Sequence, residues 1–210
     1  MKRAYQRRKV APKVKSGVVQ KKHNHVPTAS LGYVIDRESP AKGYRHVVTK
    51  RDIRDFTDII PNWDDLAVGL DSIVLTARGY GYEGRYDVSI RDKTALLEIP
   101  AWDGDLWTCF NDAYFHEHRE VFERIGLAFD RVEDGVECRF TSGQAKAFLR
   151  LHVFVHELGH HVDRMQTKRQ EAGVRGEEFA EAYANEMLDR LWPAYLERFG
   201  DPRTDECGAQ

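Results

Sequence analysis

Cysteine is scarce in this chain. Cys109, Cys138 and Cys207 are the three among 210 residues. They are odd in number, far apart and never spaced as CxxC. Neither a disulfide framework nor a cysteine zinc site is expected, and a reducing compartment fits. Long apolar runs are missing as well. No stretch reaches the roughly 20 residues a membrane helix needs, so no spanning helix and no membrane partner are expected. The basic N-terminus is not followed by an apolar segment of the kind found in secretory signals, which points to a cytoplasmic location. Acidic side chains are absent from the first 35 positions, which hold nine Lys or Arg; the remaining chain carries 23 basic against 34 acidic side chains. A basic arm is thus joined to an acidic body.

The arm, residues 1–26, has too few apolar side chains to bury a face, and disorder is expected there. Its charge suits weak contact with nucleic acid or an acidic partner. Tyr5 is its one aromatic residue, so base stacking has little support. Hydrophobic residues make up 41% of the whole chain, enough to give a body spanning 27–200 a real core. A flexible tail, 201–210, completes the expected organisation.

Within the body, Arg51 to Ile60 reads as a short helix stopped by Pro61. Ile73 to Ala77, Tyr86 to Arg91, Thr94 to Ile99 and Val136 to Phe140 read as strands, with a tight turn at Asp92-Lys93. Asn111 to Ile125 has an apolar side at helical spacing. Thr141 to Gln144 offers a capping box. The helix it opens carries Phe148, Leu151, Val155, Leu158, Val162 and Met165 at spacings of three and four, a stripe to bury. A last helix is expected from Glu177 to Trp192, stopped by Pro193.

His156-Glu157-Leu158-Gly159-His160 is an HExxH motif inside that amphipathic helix. Residues four apart share a helix face, so both imidazoles can bind one zinc ion. Glu157 lies about 100° further round. There it can reach a water on the metal and act as general base.

A third ligand must come from elsewhere. Metzincins carry a further histidine six residues on and a glycine between. Here those positions are Gln166 and Asp163, which excludes that class. No histidine follows His161, which weighs against SprT-like proteases. The carboxylates of Glu177-Glu178-Phe179-Ala180-Glu181 remain. Glu177 and Glu181 are four apart on one face. One can bind the metal while the other holds a ligand histidine through a hydrogen bond. Ala180 and Ala184 are small enough for close helix packing.

HELGHHVD followed by EEFAEAYA resembles the gluzincin peptidases, in particular the anthrax lethal factor-like and Pro-Pro endopeptidase families. The match covers about residues 155–184. It implies zinc on His156, His160 and Glu177, with Glu157 as general base. Glu181 and Asp163 would stand behind the ligands. One position departs: where those families have a tyrosine thought to steady the oxyanion, this chain has Gln170. Arg175 and His152 are the candidates to replace it or to wall the site. A second resemblance, to ImmA/IrrE-type peptidases, rests on Glu177, Ala180, Tyr183, Ala184, Met187 and Leu188, and again makes Glu177 the ligand.

Other signals read more plainly. His161 points off the motif face and is expected at the surface. His116 and His118 diverge on a helix and read as a solvated face. Cys138 precedes HExxH as a ligand cysteine does in peptide deformylase, but its surroundings do not match. Trp102-Asp103-Gly104-Asp105 reads as a loop.

The fold expected is α+β and zincin-like: a small, mostly antiparallel sheet packed on the HExxH helix, with the glutamate helix beneath. The activity implied is zinc-dependent endopeptidase action on a protein or peptide substrate. That substrate would align on an edge strand, Thr94 to Ile99 or Val136 to Phe140. The competing expectation is a non-catalytic, zinc-stabilised binding or structural protein, nucleic-acid-associated through its arm.

Overall fold

A computed structural model describes residues 32–77, 83–89, 94–166 and 175–204, and the backbone of 13–15 and 18–20. The expected turn at Asp92-Lys93, Gln170 and most of the basic arm lie outside the described residues. Within the arm, β1 (Lys13–Lys15) pairs antiparallel with β2 (Val18–Gln20).

The chain mixes helices with small sheets. The sheet that carries the site is built from β3 (Val34–Arg37), β5 (Ser72–Thr76), β6 (Arg85–Ser89) and β7 (Thr94–Pro100), in the order β3-β5-β7-β6. β5 runs parallel to both β3 and β7, and β6 runs antiparallel to β7. This sheet is therefore mixed, with more parallel than antiparallel pairing. The expectation of a mostly antiparallel sheet fails because the chain from β5 goes first to the outer strand β6 before turning back into β7, and because the β3–β5 connection is a helical crossover. That crossover holds α1 (Lys50–Thr57) and α2 (Trp63–Leu66). A crossover of this length permits the parallel pairing that a tight turn forbids. Ile73, Leu75, Ala95, Leu97 and Ile99 alternate onto a fully buried face.

Two edge assignments are corrected by this order. β7 lies between β5 and β6, so Thr94 to Ile99 has no open side. The strand predicted over Val136 to Phe140 is β11 (Gly135–Arg139), held between β9 (Trp107–Phe110) and β10 (Ala128–Val132) in a separate antiparallel sheet. Among the described residues, the free edge beside the motif helix is β6. Trp102-Asp103 forms β8, paired with β4 (Tyr44–Arg45).

The predicted helix over Asn111 to Ile125 is two helices, α3 (Asp112–Glu117) and α4 (Arg119–Arg124). Asn111 caps the first by accepting from the Tyr114 amide. The chain bends at His118, whose Nδ1 donates to the Tyr114 carbonyl at 2.8 Å. That bend turns His118 inward, where it is 7% exposed. The solvated face expected for it is wrong.

The long helix forms as its capping box predicts: Thr141 and Gln144 bond reciprocally. It is α-helical over α5 (Ser142–Phe148), widens into a π-helix over Leu149–Phe154, and returns to α-geometry over α6 (Val155–Gln166). All six side chains of the wide segment are buried. Phe154 meets Phe56 edge-on with centroids 5.5 Å apart. Sustained π-geometry is rare and tends to sit beside functional sites. Here it immediately precedes HExxH.

The last helix, α7 (Gly176–Phe199), does not stop at Pro193. Proline costs the helix one hydrogen bond, but packing beyond it holds the turn. Tyr195 is buried against Phe56, and the Arg150 guanidinium lies over the Phe199 ring. Among the described residues no helix is long and apolar enough to cross a membrane.

Candidate metal centre

α6 and α7 pack against each other more closely than ordinary side chains permit. A Cβ added to Gly159 would lie 2.9 Å from the Ala180 Cα and 3.2 Å from its carbonyl oxygen. The glycine inside HExxH and the first alanine of the glutamate helix thus set the spacing together. At that spacing Glu177 Oε2 reaches 3.1 Å from His156 Nε2 and 3.3 Å from His160 Nε2. One donor atom from each of the three lies within 4.8 Å of the others. Two imidazole nitrogens and a carboxylate oxygen are a donor set that suits zinc.

The support around the three side chains is specific. Glu181 Oε2 lies 3.1 Å from His156 Nδ1. A carboxylate can only accept, so Nδ1 donates to Glu181, and Nε2 is the nitrogen left to face Glu177 and the centre. Burial pulls the His156 pKa down, but the Glu181 hydrogen bond and the charges of Glu157 and Glu181 outweigh it and the pKa rises. His160 is lowered by burial, with Glu177 opposing. The charge balance of the cluster favours a cation: Glu157, Glu177 and Glu181 surround two imidazoles.

Asp163 acts one step further out. It is 1% exposed and accepts from the Arg175 amide at 2.8 Å and from Arg175 Nε at 2.7 Å. Burial opposes its charge, yet these bonds hold its carboxyl below the usual range. Asp163 therefore fixes the entry to α7, and through it Glu177, rather than gripping an imidazole. Arg175 is fully occupied in the same arrangement. It also donates to Gln166 and stacks on Phe179, with its guanidinium carbon 3.5 Å from the ring centroid. As an oxyanion donor it is misplaced, and it does not line the cleft.

Glu157 stands apart from the three donors, as a general base requires. It is 5% exposed. Burial pushes its carboxyl up to about 7, against the charge of His156 and with that of Glu177; the Tyr86 amide hydrogen-bonds it and pulls the other way. Gly84 leaves the room it needs, because a Cβ there would lie 2.7 Å from Glu157 Cγ. No local sequence signal marks Gly84 for this part.

A cleft of about 760 Å³ opens over these groups. His156, Glu157, His160 and Glu177 line it with the edge strand β6 and a rear wall of His118, His152 and Glu181. His152 is part of that wall. His161 is not at the surface: it is wholly buried, with Nε2 donating to the Val68 carbonyl at 3.0 Å. Its Nδ1 then accepts from the Tyr86 hydroxyl at 2.9 Å, and Arg164 donates to that same hydroxyl at 3.0 Å. Tyr86 thereby ties β6 to the motif helix. Cys138 is buried in β11, outside the cluster, its thiol pushed up to about 12 by burial. No local spacing signals the inward turn of His118 or His161, because both depend on contacts far away in sequence.

Comparison with protein-family models, curated proteins and solved structures returned no match for this chain.

Proposed function

We propose that the chain is a zinc-dependent endopeptidase with a zincin-like fold. The observation that carries this reading is the convergence of His156, His160 and Glu177 beside a buried, separately held Glu157. His156 and His160 would hold zinc through Nε2, and Glu177 through its carboxylate. Zinc bound there would supply Lewis acidity, lowering the pKa of a water to near 7 and polarising a carbonyl.

The chain's own groups do the rest. Glu157, with a pKa near neutrality, accepts a proton from the attacking water and returns it to the leaving amine. Glu181 keeps His156 in the tautomer that presents Nε2. The free side of β6 offers backbone donors and acceptors to an extended substrate by strand addition. Gly84 and Tyr86 set the distance between that strand and Glu157.

A zinc ion that only staples two helices is the competing reading. Structural sites of that kind are closed by four protein ligands. Here the cluster offers three among the described residues, and Glu177 is 82% exposed at an open cleft.

The test is loss and recovery. A peptide library incubated with the full chain should be cut, protected by a chelator, and cut again after zinc is restored. Glu177→Ala should not recover. Cleavage that persists without metal would overturn the proposal.

A further inference from the structure

Behind the proposed zinc ligands lies a second convergence. His118 comes from the bend between α3 and α4, His152 from the π-helical segment, and Glu181 from α7. One donor atom from each lies within 4.8 Å of the other two. The two rings meet edge to face with centroids 4.4 Å apart. Three elements far apart in sequence thus place two imidazoles and a carboxylate around one point.

The hydrogen-bond geometry suits ligands. His118 Nδ1 faces the Tyr114 carbonyl at 2.8 Å. A carbonyl accepts only, so Nδ1 is the donor there and Nε2 is the ring nitrogen left to face the cluster. A ring nitrogen bonded to a backbone carbonyl is the usual support of a metal-binding histidine. His152 is 4% exposed, and its Nε2 lies 3.7 Å from Glu181 Oε2, beyond hydrogen-bond reach. A nearly buried imidazole therefore faces a carboxylate without bonding it. Glu181 is held in place by His156 Nδ1 at 3.1 Å on Oε2 and by Asn185 Nδ2 at 3.3 Å on Oε1.

We propose that His118, His152 and Glu181 form a second site for a transition-metal dication. Two imidazoles and one carboxylate select zinc, cobalt or nickel over calcium or magnesium, which prefer all-oxygen shells. The site itself does not depend on the zinc reading of His156, His160 and Glu177. Its link to that centre does. Glu181 Oε2 already accepts from His156 Nδ1, so a cation on Glu181 weakens the bond that steadies His156. The two ions also repel. Filling the second site lowers affinity at the first, and by reciprocity the first lowers affinity at the second.

The test uses the full chain, stripped by chelator. It is titrated with Co2+, read by visible absorption, and equilibrated with Zn2+, read by elemental analysis. Wild type should take up two equivalents, the second more weakly. Glu177→Ala and His118→Gln should each keep one, and the double variant none. Circular dichroism checks that each variant folds, and the wild-type count needs no variant at all. One equivalent in wild type, lost in Glu177→Ala, overturns this proposal and leaves the endopeptidase reading intact. One equivalent that survives Glu177→Ala but not His118→Gln supports this site and overturns the other. Two equivalents that both survive His118→Gln place the second ion elsewhere and overturn this site. No uptake in wild type overturns both.

Discussion

Gly84 stands so close to Glu157 that a methyl group on it would sit 2.7 Å from Glu157 Cγ and 2.9 Å from Oε1. The same methyl would meet the Glu98 carbonyl oxygen at 2.9 Å. One side chain can turn away from such a contact, but the backbone of a central strand cannot. Gly84→Ala should therefore displace Glu157 and loosen β6. We expect a loss of about 1–3 kcal/mol in stability, the usual cost of overpacking, read by urea unfolding. Peptide cleavage should fall by tenfold or more, as a misplaced base implies. Unchanged cleavage would show that Glu157 does not depend on this gap.

Glu181 steadies His156 from behind at 3.1 Å. Outer partners of this type are worth about 10–100-fold in metal affinity. Glu181→Ala should weaken zinc binding by that order, measured by competition with a chromogenic chelator. Glu181→Gln should recover part of the loss, because its amide oxygen can still accept from Nδ1.

Glu157 makes the stability of the metal-free protein depend on pH. Burial raises its carboxyl from 4.5 to about 7. Between those values the folded chain holds a proton that the unfolded chain has released. Stability contributed through this group is therefore greatest at low pH and falls as pH rises from about 4.5 to 7. The shift corresponds to on the order of 3 kcal/mol. Glu157→Gln should remove that fall. Urea unfolding of both proteins in chelator, from pH 4.5 to 8, tests it: the wild-type curve should drop relative to the variant and then run level.

The parts of this molecule that are legible in sequence are those governed by local periodicity. His156 and His160, or Glu177 and Glu181, share a face because four residues nearly complete a helical turn. The box at Thr141 and Gln144 starts its helix where the pattern says. Long-range placement is less legible. His118 and His161 look like surface residues because helical spacing turns each away from the motif face or from its neighbouring histidine, yet one lines the cleft and the other holds Tyr86 from the core. Strand order is illegible for a similar reason: β7 is interior because β5 and β6 pair on either side of it, and β11 because β9 and β10 do, choices that no single strand's sequence encodes. Pro193 ends a helix on local grounds, and tertiary packing of Tyr195 overrides it.

The most direct measurement compares zinc-loaded wild type with Glu157→Gln on the same peptide library, with metal content read on both. Removing the base while keeping the ligands should leave zinc and fold unchanged and slow cleavage by about 10²–10⁴-fold. Equal cleavage by both proteins, with equal zinc, would contradict the assignment of Glu157 and with it the proposed hydrolysis.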